Sequence, residues 1–271
     1  MRYLAPAKLN LFLHVTGRRA DGFHDLQTVF QLVDLCDELD ISTRSDGQIL
    51  RNPAPSDAML AALADEDDLT VRAARLLKRE SGTALGADIH VRKRIPAGGG
   101  MGGGSSDAAS VLLALNAQWD LYWPLDRLAL LGLSLGSDVP VFIHGRNAFA
   151  SGRGEMLTPV DLPERWFLIV QPPVAVSTRE IFSAPQLTRD TPPLRIPALP
   201  ADGGHNDCEA VVRERYPEVA EVLARLAPSG GRLTGTGACV FCATGSQWEA
   251  LQIAAGLPDK WQVFIVRGLR T

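Results

Sequence analysis

The sequence predicts an α+β protein built as two domains. Strand-like and helix-like segments come in mixed runs, the strands carry polar residues at alternate positions as antiparallel sheets with a solvated face do, and the texture changes after about residue 150. A chain of 271 residues is long enough for this, since domains usually hold about 100–200 residues. The boundary is placed near residue 155, giving domains 1–155 and 156–271.

Ala7, Leu9, Leu11, Leu13 and Val15 alternate with Lys8, Asn10, Phe12 and His14, which predicts a strand that points Lys8 and Asn10 the same way. A loop around Asp21 and Gly22 follows, then an extended apolar stretch over 26–35 and a further strand over 39–42. In DLTVRAARLLKRESG, Leu69, Ala73, Leu76 and Leu77 share a helical face, and Gly82 follows its end. Ile89, Val91 and Ile95 alternate with His90, Arg92 and Arg94, the pattern of a half-exposed strand. SSDAASVLLALN opens on helix-initiating Ser and Asp and carries Ala108, Val111, Leu112 and Leu115 on one stripe. LDRLALLGLSLG reads as another helix, and GSDVPVFIHG as a turn followed by a strand. Beyond it come a strand in RWFLIVQP, an ordered proline-rich surface loop over 185–200, helices in CEAVVRERYPEVAEVLARLA and SQWEALQIAAG, and a last strand in WQVFIVRGL.

Hydrophobic residues make up 46% of the chain and charged residues 21%, enough for a buried core and too few charges for a disordered tail. The net charge of -4, with scattered arginines, offers no attraction to nucleic acid and favours a small-molecule partner. No apolar run approaches the ~20 residues that span a bilayer. MRYLAPAKLNLFLHV also places Lys8 and Asn10 where a signal peptide keeps its apolar centre, so no membrane role and a cytoplasmic location are expected. Cys239 and Cys242 form a single C-x-x-C with strand-like residues between them, which reads as buried thiols in preference to a metal or redox site.

The run GGGMGGGSSDAA has glycine at six of its first seven positions, at an entropic cost of roughly 0.5–1 kcal/mol each when ordered. Bare backbone N–H groups leading into a helix N-terminus make an anion site, and phosphate is the obvious guest. The run is not a P-loop, but it matches the dinucleotide fingerprint, with Asp120 downstream. The half-exposed strand before it argues against a dehydrogenase, whose strand there is buried on both faces. Two residues could supply chemistry. Lys8 is either an ammonium reaching the surface over a sheet edge or a cation beside developing charge, and Asp138 in GSDVPVF either closes a turn or serves as a base. With a phosphate loop they would meet the needs of phosphoryl transfer to an alcohol.

PAKLNLFLHVTGRRADGFHDL, IPAGGGMGGGSSDAA and LTGTGACVF are similar, in order, to the three motifs of the GHMP small-molecule kinases. GSDVPVF and NDCEAVVRERYPEV resemble the same family, so the likeness runs from Pro6 to about Phe241. The narrower resemblance is to the branch whose substrate is a cytidine diphosphate-linked methylerythritol. It implies an N-terminal ATP-binding GHMP domain and a C-terminal GHMP domain with an active-site cleft between them. It also implies transfer of the ATP γ-phosphate to the substrate 2-hydroxyl, in the non-mevalonate route to isoprenoid precursors; Mg2+ is then expected because ATP chemistry needs its charge neutralised, although the sequence shows no dedicated carboxylate cage.

By the same resemblance Lys8 and Asp138 are the catalytic pair, Asp138 as base and Lys8 orienting it and stabilising charge. Pro96, Ala97, Gly98, Gly99, Gly100, Met101, Gly102, Gly103, Gly104, Ser105 and Ser106 match the triphosphate loop, and Lys93 borders the adenine pocket. Asn10, Phe23, His24, Asp138 and Thr178 match substrate-binding positions, and the GTG turn at 235–237 is expected beside the phosphates. Two residues depart from the pattern. Phe23 stands where tyrosine is common, losing a hydroxyl, and Asp68 stands where asparagine is expected, losing an amide donor. A GHMP kinase acting on another small alcohol, such as homoserine or a mevalonate relative, and a nucleotide-binding module without catalysis are the alternatives.

Overall fold

The computed structural model describes residues 1–53, 64, 66–195, 200 and 203–270. Contacts divide the chain into two compact units. The first comprises Met1–Ala7, Leu35–Ile95 and Gly102–Gly145, and the second Lys8–Asp34, Pro96–Met101 and Arg146–Thr271. Two long strands, β1 (Arg2–Arg18) and β2 (His24–Arg44), contribute to both. The break expected between residues 35 and 39 is absent: β2 continues through Asp37, whose buried carboxylate accepts hydrogen bonds from the backbone N–H groups of Arg94 and Ile95. That carboxylate has backbone partners of its own, so its polarity does not interrupt the strand.

In the first unit, β2 pairs antiparallel with β4 (Gly86–Arg92), Glu38 opposite Arg92, and β3 (Ile49–Pro53) lies parallel to β4. The alternation expected in β4 is present, with Ile89 and Val91 buried and His90 between them partly exposed. Helix α1 (Leu69–Ser81) is capped at its start by Asp68, whose side chain accepts from the N–H groups of Thr70 and Val71, and ends at Gly82 with φ 69°. It packs against α2 (Gly103–Gln118), whose Val111, Leu112 and Leu115 are buried as the stripe predicts. Helices α3 (Leu125–Leu133) and α4 (Val139–His144) complete this unit.

The last of these corrects the strand expected in GSDVPVFIHG. Pro140 lies in the first turn of a helix, where its missing N–H is not needed, and Gly145 closes it at φ 62°. All five residues from Val139 to Ile143 are buried, so an apolar run without periodicity reads like a core strand.

In the second unit, β2 pairs with β5 (Ala148–Ser151), and β5 with β6 (Met156–Pro159), both antiparallel. A second sheet has the order β10 (Gln262–Arg267), β7 (Trp166–Gln171), β9 (Val240–Thr244), β8 (Arg232–Leu233), and every neighbouring pair is antiparallel. Helices α5 (Thr178–Ser183), α6 (Glu209–Arg215), α7 (Pro217–Leu226) and α8 (Gln247–Ala254) belong to this unit. Its core joins Leu13 and Val15 of β1 to Leu168, Val212, Leu223 and Val240.

Of the proline-rich stretch, residues 185–195 form an irregular segment, while 196–199 lie outside the described residues. Among the described residues no helix is long and apolar enough to cross a membrane. Cys239 and Cys242 are buried, and burial pushes the Cys242 thiol up to about 11, the state of an inert core thiol.

Candidate active site

Lys8 is buried in β1, and its Nζ donates to the side-chain oxygen of Asn10 and, at 3.0 Å, to the carbonyl of Gly100. The period of two along the strand puts both side chains on one face, as expected. Asn10 Nδ2 donates to Thr28 Oγ1 at 3.0 Å, and the Asn10 backbone N–H donates to Thr234 Oγ1 at 3.0 Å. The backbone N–H of Lys8 reaches the Met101 carbonyl at 3.1 Å, so the strand and the loop are laced together.

The turn before β9 lies on the same loop. Ala238 N–H donates to Gly98 O at 2.9 Å and Cys239 N–H to Gly99 O at 3.2 Å. Gly100 has φ 75°, and a Cβ there would stand 2.3 Å from the Thr234 carbonyl. Glycine is therefore required at this position by close approach as well as by conformation. Asn206 holds the other side of the turn, donating to the carbonyls of Leu233 at 2.9 Å and Gly235 at 2.8 Å. Thr178 Oγ1 lies 2.9 Å from Thr236 Oγ1, which brings the start of α5 to this turn.

His24, at the start of β2, is buried and receives a hydrogen bond from Arg189 Nε on its Nε2 at 3.0 Å. Burial, followed by the charges of Arg189 and Arg18, lowers its pKa and keeps the ring neutral at pH 7. Phe23 is half exposed, and the Arg153 guanidinium lies 3.7 Å from its ring centroid.

In the first unit, α2 begins inside the glycine run. Gly102 is its N-cap at φ 72° and makes no side-chain cap bond, so the helix starts earlier than Ser105 and Asp107 suggested. A glycine cap leaves the first backbone N–H groups without a side-chain acceptor, the condition for binding an anion there. Ser106 Oγ is buried with no hydrogen-bond partner among the described residues. A Cβ on Gly136 would lie 3.5 Å from Ser105 Oγ, and α4, which Asp138 caps, packs against α2.

Lys93 is engaged on both sides. Its Nζ pairs with Asp107 Oδ2 at 2.6 Å and with a carboxylate oxygen of Asp37. Burial opposes the Lys93 charge, but the two carboxylates win and raise its pKa. One cation cannot satisfy both acids: burial pushes Asp107 up to about 7 despite Lys93, with Asp37 adding repulsion. Asp68, besides capping α1, pairs with Arg51 at 2.9 Å with both side chains nearly sealed from solvent. Both tasks call for an acceptor, which gives a carboxylate a physical reason to stand at this position.

Residues 68–146 match the model of the GHMP kinase N-terminal domain and residues 197–263 that of the C-terminal domain. A 4-diphosphocytidyl-2-C-methyl-D-erythritol kinase of Pseudomonas paraeruginosa is 54% identical over 97% of this chain and 92% of its own. The chain belongs to the 4-diphosphocytidyl-2-C-methyl-D-erythritol kinase family of GHMP kinases. A kinase of the same name from Pseudomonas aeruginosa is 53% identical over the same shares of the two chains. A crystal structure of 4-(cytidine 5'-diphospho)-2C-methyl-D-erythritol kinase superposes with TM-score 0.81 at 33% identity, covering 99% of this chain and all of that one. The Methanococcus jannaschii mevalonate kinase, with TM-score 0.72 at 16% identity over 100% of this chain and 98% of its own, shares the fold. As a GHMP kinase of this family the protein is an ATP-using small-molecule kinase.

Sequence reasoning missed Arg189 and Asp37, each of which touches an expected site residue, and although Asn206 and Thr236 stand inside motifs it singled out, it assigned neither side chain a contact. An aspartate in the middle of an apolar strand, as Asp37 is, was an available signal, whereas Arg189 stands in an ordinary loop context.

Proposed function

We infer that the chain transfers the γ-phosphate of ATP to the 2-hydroxyl of 4-diphosphocytidyl-2-C-methyl-D-erythritol, giving ADP and the 2-phosphate, in the non-mevalonate route to isoprenoid precursors. The 54% identity to a kinase of that name across 97% of the chain carries this reading. Asp138 accepts the hydroxyl proton, the freed oxygen attacks the γ-phosphorus, and the bond to the ADP oxygen breaks. Lys8, tied to the Gly100 carbonyl, supplies positive charge as negative charge shifts toward ADP. Residues 96–106 cradle the phosphates through backbone N–H groups, and the buried Ser106 hydroxyl suits a phosphate oxygen.

Mg2+ would enter with ATP; among the described residues no group of three or more His, Cys, Asp or Glu gathers. When bound it neutralises phosphate charge. Asn10, Phe23, His24 and Thr178 are assigned to the cytidine-bearing substrate, and Lys93 to the border of the adenine pocket. Residues 1–155 and 156–271 are proposed as the limits of the two GHMP domains, inside which the family matches fall. The reaction is placed in the cytoplasm, where ATP is abundant.

ADP release from Mg-ATP is the direct test, with the cytidine substrate set against homoserine, mevalonate and uncharged alcohols. Turnover with the cytidine substrate alone is expected. Equal turnover with homoserine would overturn the substrate assignment, and ATP binding without ADP release on any alcohol would overturn catalysis.

A further inference from the structure

Arg189 spends its guanidinium on four acceptors. Nε donates to His24 Nε2 at 3.0 Å, Nη1 to the Leu187 carbonyl at 2.9 Å, and Nη2 to the carbonyls of Phe182 at 3.0 Å and Ala184 at 2.7 Å. The three carbonyls hold the planar fork in one orientation, and the His24 ring is fixed from its face by Phe182, with centroids 5.3 Å apart and planes 29° apart. A guanidinium has donors only and keeps its charge, so His24 Nε2 must present a lone pair to it. A neutral imidazole carries one N–H, which therefore sits on Nδ1. Among the described residues no group hydrogen-bonds that Nδ1.

We propose that Arg189 is a positioning residue that locks His24 in its neutral Nδ1–H tautomer, so that the ring offers the substrate base a donor and selects a pyrimidine with an acceptor at N3. The proposal rests on the reading of His24 as a contact to the cytidine. Cytosine carries a lone pair at N3, whereas uracil carries an N–H there, and two facing donors leave both unpaired. The charged groups near His24 are Arg189 and Arg18, both cationic, so neither favours a second proton on the ring.

The first measurement is nitrogen-15 NMR of the imidazoles in the full-length, ligand-free protein, with His24→Gln used to identify its signals among the five histidines. A protonated Nδ1 and a bare Nε2 near pH 7 are expected for His24. Arg189→Met should release the ring to the Nε2–H tautomer and to protonation at higher pH. Arg189→Lys, which keeps a charged donor, should restore the Nδ1–H form. Steady-state kinetics then compare 4-diphosphocytidyl-2-C-methyl-D-erythritol with its uridine counterpart. The wild type should favour cytidine in kcat/KM, and Arg189→Met should lose about 10- to 100-fold of that preference, mainly through KM.

An Nε2–H tautomer in the wild type overturns the proposal, as does a tautomer that survives Arg189→Met. A changed tautomer with unchanged base preference overturns the selective role. If the wild type turns over neither nucleotide-linked alcohol, the functional reading fails, while the NMR result still decides whether Arg189 sets the tautomer.

Discussion

Asp138 stands at the start of the six-residue helix Val139–His144, where the resemblance to the GHMP kinases puts the base. The base role gives a direct expectation. Asp138→Asn should keep ATP affinity within about twofold and lower kcat by about 10²- to 10⁴-fold, measured by nucleotide titration beside steady-state assay; full activity would remove Asp138 from catalysis. Asp107 yields a pH prediction. Its native pKa of about 7 lies above the ordinary 3.8, so the native state holds this proton more tightly than the unfolded chain does. Stability from this group is therefore present at low pH and lost as pH rises from about 4 through about 7. Asp107→Asn should melt above the wild type near about pH 8, with the difference shrinking toward about pH 5 in thermal scans at a series of pH values.

At the scale of elements, the loop over 96–101 and the turn over 234–237 approach so closely that side chains are excluded between them. Gly100→Ala adds a Cβ 2.3 Å from the Thr234 carbonyl at a φ of 75°. A loss of at least about 2 kcal/mol is expected in urea titrations, together with a raised KM for ATP. The start of α1 is a second such point. Asp68→Ala removes the cap and takes from Arg51 a carboxylate held at 2.9 Å, for an expected cost of about 3–5 kcal/mol in the same titrations. Asp68→Asn keeps the acceptor for the cap and should cost less.

For the whole molecule, β1 and β2 tie distant parts of the chain into each unit's core. Leu13 and Val15 pack with Leu168 and Val240, and Asp207 accepts a hydrogen bond from the backbone N–H of Val15 at 2.6 Å. A fragment of residues 156–271 alone lacks these partners. It should show no cooperative thermal transition, whereas the full chain should unfold cooperatively and gain about 5–10 °C in Tm with Mg-ATP at about 100 times its Kd.

What could be read from the sequence was local: the period-two face of Lys8 and Asn10, the stripe of Val111, Leu112 and Leu115, the helical pattern of α1 with its stop at Gly82, and a glycine run that leads into a helix. These signals lie within a few residues of one another, where backbone geometry links spacing to direction. The tertiary structure alone decided the helix at Val139–His144, because a fully buried run has no polar face to mark its period. It also decided that Gly100 meets Thr234, that Asp37 and Asp107 share Lys93, and that Arg189 holds His24. Each of these joins groups at least 14 positions apart along the chain, and no local spacing encodes which distant donor will meet which acceptor.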